Sequence, residues 1–258
     1  MPQIVQLEKP KVRGPDPYGF IRTETAQDIL RSLALVQSID GPAITMISGA
    51  PGIGKTETLL HYCRENEEAI YVAIAAGEGN PGHIATTILR QFGCYKKDGN
   101  DLTAQRWQVG RYIGASRILL IDEAQNLYHR HKASGTKGSG FGWLVAASEE
   151  SGFDLVFCGD LTLQSILTEF PHLQSRMRRP VIIKGAARAD VAALASAGDI
   201  KGQAEIALLT AVAGLPGGLR NVENVIRMAA IFAGKDRING PHLKAAIQDL
   251  KLLPKGGK

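Results

Sequence analysis

Gly49-Ala50-Pro51-Gly52-Ile53-Gly54-Lys55-Thr56 fits the pattern G-x-x-x-x-G-K-[ST], and the residues on either side suit it. The preceding run, Ala43-Ile44-Thr45-Met46-Ile47-Ser48, is apolar enough for a buried strand. The following one, Glu57-Thr58-Leu59-Leu60-His61-Tyr62-Cys63, reads as the first turns of a helix. A strand, a glycine loop and a helix N-terminus in succession turn several backbone N–H groups toward one point, which makes an anion site for a polyphosphate. Gly49, Gly52 and Gly54 let the backbone close around the phosphates, and Pro51, Ile53 and Glu57 complete the contact stretch. Lys55 reaches the β- and γ-phosphates, and the Thr56 hydroxyl ligates Mg²⁺. The sequence predicts a nucleotide site for ATP and Mg.

Further along, Arg117-Ile118-Leu119-Leu120-Ile121 is an apolar strand that ends in Asp122-Glu123. A buried strand of a parallel sheet delivers its C-terminal residues to the crevice where ligands bind. Asp122 is expected to hold Mg²⁺ through its water shell, and Glu123 to polarise the water that attacks the γ-phosphate. An apolar tetrad followed by two acids is weak evidence alone. Downstream of a phosphate loop it is strong.

Hydrolysis spreads charge over the γ-phosphoryl oxygens, and an arginine from a neighbouring subunit can stabilise it. Arg176 precedes the last strand in Leu173-Gln174-Ser175-Arg176-Met177-Arg178-Arg179, with Arg178 and Arg179 as competitors for that role. Arg220, in Gly217-Gly218-Leu219-Arg220-Asn221, opens a helix and is placed to reach back to the nucleotide.

Working outward, helical periodicity runs from Glu24 to Ser38, capped by Thr23, and strands are expected at 69–75, 117–121, 153–158 and 181–183. Helices alternate with them at 83–92, 102–113, 141–150 and 161–169. Between these, His129 to Gly140 is basic and glycine-rich and reads as a mobile loop. From Arg188 on, only helices are expected, at 188–198, 202–213, 218–233 and 240–252. The fold class is therefore α/β: a parallel sheet covered by helices, plus a small C-terminal helical lid. The chain divides into an extended arm (1–19), an α/β nucleotide-binding core (20–187), the lid (188–252) and a disordered tail (253–258).

The 258 residues are 44% hydrophobic, with no apolar run long enough for a membrane span and no secretory signal at Met1 to Glu8. Cys63, Cys94 and Cys158 are widely spaced and read as reduced thiols of a cytoplasmic protein. The net charge of +5 is concentrated. Residues 90–140 hold nine basic side chains against four acids, and Arg176, Arg178, Arg179, Lys184 and Arg188 form a second cluster without acids. Positive charge beside a nucleotide site suits a phosphate-rich partner such as DNA or RNA.

The order of glycine loop, Asp-Glu strand, arginine turn and Gly-x-x-Arg lid resembles the AAA+ ATPases over roughly residues 20–252. More narrowly, Ile121-Asp122-Glu123-Ala124-Gln125-Asn126-Leu127 is similar to the DEAQ segment of transposition ATPases. The lid run 218–229 resembles that of phage-Mu-type B proteins and their TnsC and TniB relatives. The resemblance implies an ATPase that assembles on duplex DNA as an ATP-dependent ring or helical filament, marks target DNA, and recruits and stimulates a transposase. It also implies a cytoplasmic, DNA-associated location in a bacterial cell or phage-infected host. The Mu-type protein carries an N-terminal helix-turn-helix domain that 19 residues cannot supply. DNA contact is then expected from the ATPase assembly, through Lys96, Lys97, Arg130, Lys132 and Lys137. The family's sensor position after the fourth strand falls at Asp160, an acid where a neutral polar residue is usual. Two alternatives share the core motifs: a helicase loader or replication initiator, and a secretion-associated AAA+ ATPase.

Overall fold

The computed structural model describes residues 19–94, 101–130 and 137–252, with only the backbone described at 129, 130 and 137–139. The expected arm up to residue 18, the loop at 96–100 and the tail from 253 lie outside the described residues. The elements run α1 (Glu24–Gln37), β1 (Ile44–Gly49), α2 (Lys55–Glu65), β2 (Ala69–Ala73), α3 (Pro81–Gln91), α4 (Leu102–Ile113) and β3 (Ile118–Asp122). A 3₁₀ turn (Ala124–Leu127), β4 (Tyr128–Arg130), β5 (Lys137–Ser139), α5 (Gly140–Ser151), β6 (Asp154–Gly159), α6 (Thr162–Thr168), α7 (Pro171–Gln174) and β7 (Val181–Ile183) follow. The C-terminal part is helical: α8 (Arg188–Ala197), α9 (Gln203–Ala213), α10 (Gly218–Ala233) and α11 (Gly240–Asp249).

The main sheet has the order β2-β3-β6-β1-β7. Its pairs β2–β3, β3–β6 and β6–β1 are parallel, with Ile121 level with Phe157 and Phe157 level with Met46. Neither neighbour of β1 adjoins it in the chain, so the winding reverses at β1. That is the switch point at which open α/β sheets bind ligands, and the glycine loop begins at its end. Parallel register brings the ends of β1, β6 and β3 to one edge, with Asp122 one residue beyond the Ile121–Phe157–Met46 row.

Two compact units account for the described residues. The first holds Leu30–Ser48 and Leu59–Val181; the second holds residues 19–29, Gly49–Thr58 and 182–252. The glycine loop is thus grouped with the C-terminal helices, a division that differs from the boundary expected at residue 187. In the first unit, Ile84 and Ile88 of α3, Val109 and Ile113 of α4 and Leu144 of α5 pack on Leu119, Ile121, Leu155 and Phe157 of the sheet. Phe141 meets Phe157 edge-on at 5.0 Å between ring centres. The second core gathers Val191, Leu209, Val212, Val222, Val225, Leu243 and Ile247, all apolar positions at helical spacing. Fully buried Asp190 of α8 accepts hydrogen bonds from the Thr25 amide (3.2 Å) and hydroxyl, tying the start of α1 to that core. Thr23 caps α1 through Oγ1, which accepts from the Ala26 amide at 3.0 Å.

One expectation is corrected. The ends of the basic run 129–140 are not loop: β4 and β5 pair antiparallel, with Tyr128 opposite Ser139 and Arg130 opposite Lys137. Glycine and serine content argued for a loop, but backbone pairing between segments several residues apart is not encoded in composition. The short helix α7 was likewise absent from the sequence reading, because four residues carry no period.

Asp154, 7% exposed at the start of β6, accepts from the Ala43 amide at 2.9 Å. Burial pushes its carboxyl pKa up, and the Ala43 hydrogen bond offsets this only in part. A raised carboxyl pKa means stability is greatest below the unfolded-state pKa and declines as pH rises through the folded-state pKa. Asp154→Asn keeps an acceptor for Ala43 without the buried charge. Thermal unfolding should show it more stable than the parent by a few degrees at pH 7–8, with the advantage vanishing in acid, where the parent is itself protonated.

Candidate nucleotide-binding site

The glycine loop is built by constraints inside the second unit. The Ala50 amide donates to the Ile183 carbonyl at 2.9 Å, fixing the exit from β1. Gly52 (φ +73°) and Gly54 (φ +92°) take left-handed backbone that side-chain-bearing residues rarely adopt. A Cβ on Gly52 would lie 1.9 Å from the Gly217 carbonyl oxygen, so only glycine fits there. At Gly54 the corresponding position faces open space. Helix α2 then starts at Lys55, presenting its first-turn N–H groups, and Thr58 closes the turn through its amide (3.0 Å) and hydroxyl (2.9 Å) to the Gly54 carbonyl. Lys55 Nζ donates to the carbonyls of Gly49 (2.6 Å) and Ala50 (2.9 Å), so its ammonium is held over the loop. Ile53 is buried beneath the loop, Thr56 is half-buried, and Pro51 and Glu57 are exposed. Backbone donors, a helix N-terminus and a lysine drawn over the loop fit a polyphosphate.

Helix α10 meets this loop. Gly217 (φ +115°) and buried Gly218 let its first turn approach, and the Arg220 amide donates to the Gly52 carbonyl at 3.0 Å. The Arg220 side chain is exposed. The contact between the Gly-x-x-Arg run and the loop is made by backbone.

In the first unit, Asp122 is 3% exposed at the end of β3. Its Oδ2 accepts from the Tyr71 hydroxyl (2.9 Å) and its Oδ1 from the Glu123 amide (2.9 Å). Burial first, and then the Asp122 charge, push the Tyr71 hydroxyl pKa up, so Tyr71 remains a donor across the physiological range. Among the described residues no three His, Cys, Asp or Glu side chains gather to hold a metal.

Glu123 is exposed and sits at φ +54°, a strained conformation for a side-chain-bearing residue. Its carboxylate accepts from Gln125 Nε2, while Gln125 Oε1 accepts from the Asp160 amide at 3.2 Å. The Asp160 carboxylate accepts from the Thr162 amide (2.9 Å) and hydroxyl at the start of α6, and its carbonyl accepts from the Ser48 hydroxyl (2.8 Å). The Asp160 carboxylate is thereby engaged in starting α6.

Arg176 follows α7, exposed and ion-paired with Glu149 of α5. Its two competitors differ from it. The Arg178 amide donates to the Ile44 carbonyl at 2.7 Å, and the Arg179 carbonyl (φ +42°) accepts from Ser32 Oγ at 2.7 Å and Thr45 Oγ1 at 3.2 Å. Of the expected DNA contacts, Lys96, Lys97 and Lys132 lie outside the described residues, and Arg130 and Lys137 stand opposite each other in the β4–β5 register. Burial raises the Cys63 thiol to about 12, so it is inert as a nucleophile.

Sequence reasoning missed Tyr71 and Gln125 in its bridging role. A tyrosine inside Ala69-Ile70-Tyr71-Val72-Ala73 was the one available signal, a polar group on an otherwise apolar strand.

Residues 38–167, half of the chain, match the AAA domain family, and residues 175–250 match the family described as Mu B transposition protein, C terminal. The ATP-dependent target DNA activator B of Escherichia phage Mu is 28% identical, covering 92% of this chain and 75% of the relative; that of Escherichia phage D108 is 29% identical with the same coverage. Among solved structures, ORC2 of Aeropyrum pernix in its ADPNP–ADP complexes superposes with a TM-score of 0.60 at 18% identity, covering 87% of this chain and 66% of that one. ORC1 of the same organism in complex with DNA gives 0.63 at 17% identity (92% and 68%), and Cdc6p of Pyrobaculum aerophilum 0.64 at 16% (91% and 69%). The chain thus spans about two thirds of the length of these structures, and they speak for the fold alone. No described helix is long and apolar enough to cross a membrane. The chain belongs to the AAA family; its C-terminal part matches the Mu B transposition protein family, and the relatives it is similar to are ATP-dependent target DNA activators.

Proposed function

We propose that this protein is an ATP- and Mg-dependent ATPase that assembles on duplex target DNA and recruits and stimulates a transposase. The observation that carries the reading is the Gly49–Thr58 loop, with left-handed glycines, a helix start and Lys55 held over it. The Mu and D108 relatives, named as ATP-dependent target DNA activators, supply the direction. A helicase loader or initiator is the second reading, because such proteins share the core motifs of the AAA family. It is weaker, because the C-terminal helices match the Mu B family.

In this reading Lys55 and the loop amides bind the phosphates, and Gly49, Pro51, Gly52, Ile53, Gly54 and Glu57 shape the cradle. Thr56 and Asp122 hold Mg²⁺, which neutralises phosphate charge. Tyr71 keeps the Asp122 carboxylate oriented. Glu123 takes the proton of the attacking water, and charge developing on the γ-phosphoryl oxygens is met by Arg176 of an adjacent subunit. Arg220, through its place on the loop, couples α10 to the nucleotide. Asp160 acts through its backbone, beside Glu123's partner Gln125. Assembly is a homo-oligomeric ring or filament in the cytoplasm, released from DNA after hydrolysis.

The discriminating experiment is binding to random duplex DNA with ATP, ADP or no nucleotide, read by filter assay and electron microscopy. ATP-dependent filaments or rings that persist in Glu123→Gln and are lost in Lys55→Ala are expected. Absence of duplex binding in every nucleotide state would remove the transposition reading.

Arg176→Ala should abolish hydrolysis with nucleotide affinity largely intact. The exposed Arg176–Glu149 pair contributes only about 0–1 kcal/mol, so unfolding would not be the cause. Loss of nucleotide binding in a titration would return Arg176 to a structural role. Neutralising Lys132 and Lys137 together should weaken DNA binding and reduce the slope of log affinity against log salt by about two. An unchanged slope would take both away from the DNA.

A further inference from the structure

Both ends of the Gln125 amide are engaged. Nε2 donates to the Glu123 carboxylate, and Oε1 accepts from the Asp160 amide. The turn that carries it is rigid. Ala124 and Leu127 are fully buried, the Asn126 amide donates to the Glu123 carbonyl at 2.9 Å, and Asn126 Nδ2 donates to the Ile74 carbonyl at 2.8 Å. Gly159 makes room for the contact, since a Cβ there would lie 2.4 Å from Gln125 Oε1. Beyond Asp160 the line continues to Ser48, whose hydroxyl donates to the Asp160 carbonyl immediately before the glycine loop begins.

We infer that Gln125 is a positioning residue for Glu123, holding its carboxylate at one oxygen and tying it to the turn after β6. An exposed glutamate has several rotamers, and only some place an oxygen where a water proton can be accepted. A donor on one carboxylate oxygen selects among them and leaves the other oxygen for the water. The fixed glutamine amide does this without charge. Because Asp160 anchors the far end, a shift of the Ser48–Asp160 turn moves the glutamate with it. The inference deepens the proposed function and rests on Glu123 being the general base.

The test uses the whole protein with saturating duplex DNA, measuring steady-state ATP hydrolysis, affinity for a fluorescent ATP analogue, and the thermal midpoint. Gln125→Met keeps the volume and removes both hydrogen bonds. Gln125→Glu keeps an acceptor for the Asp160 amide and removes the donor to Glu123. Gly159→Ala pushes on Oε1 with the glutamine in place. All three should lower kcat about tenfold or more, the size usual for partners that orient a reacting group, with KM and analogue affinity within about twofold. Adding Gln125→Met to Glu123→Gln should lower the rate no further, since the two act as one unit. A parental kcat in Gln125→Met and Gln125→Glu, with Glu123→Gln inactive, would overturn this inference and leave the general base standing. Equal loss of kcat and nucleotide affinity would make Gln125 a structural residue and overturn it too. Parental hydrolysis in Glu123→Gln would instead remove the general-base reading itself.

Discussion

Parallel pairing is the constraint on which the chemistry of this protein depends. When β3, β6 and β1 run the same way, their C-terminal ends emerge on one edge whatever their sequences. Asp122, the Ser48 hydroxyl and the Asp160 turn are therefore neighbours of that edge without any local signal directing them there. The winding reverses at β1, which leaves the start of the glycine loop uncovered by a sequential crossover. Burial on both faces holds the strands in place. Thr45 bonds the Arg179 carbonyl, while Met46 joins the core with Leu155 and Phe157.

A second constraint is steric and lies at the loop. Gly52 approaches Gly217 until a Cβ on Gly52 would collide with the Gly217 carbonyl, and the Arg220 amide closes the contact with a hydrogen bond to the Gly52 carbonyl. Such closeness seats the first turn of α10 directly on the loop backbone. A nucleotide that moves the loop carbonyls would alter the acceptor on which Arg220 is seated.

The acidic pair is divided by environment. Asp122 is buried, accepts from Tyr71, and has little freedom; such a carboxylate suits ion binding through water. Glu123 follows it into solvent on a strained backbone, held by Gln125. One turn thus presents a buried carboxylate and an exposed one. The distinction arises from where the strand ends and the 3₁₀ turn begins.

What the sequence alone determined was local. The loop pattern, the Asp-Glu strand end, the lid arginine, and the strand and helix order could be read because periodicity, left-handed glycines and turn chemistry are properties of short windows. The Thr23 cap of α1 and the span Leu102–Ile113 of α4 were legible for that reason. The tertiary structure decided the rest: Tyr71 on Asp122 across 51 residues, Asp190 on Thr25 across 165, the β4–β5 pairing, and the glutamine that links Glu123 to Asp160. Those depend on strand register and on which backbone amides a fold leaves without regular partners. A window of sequence contains neither, because both exist only once distant segments are packed together.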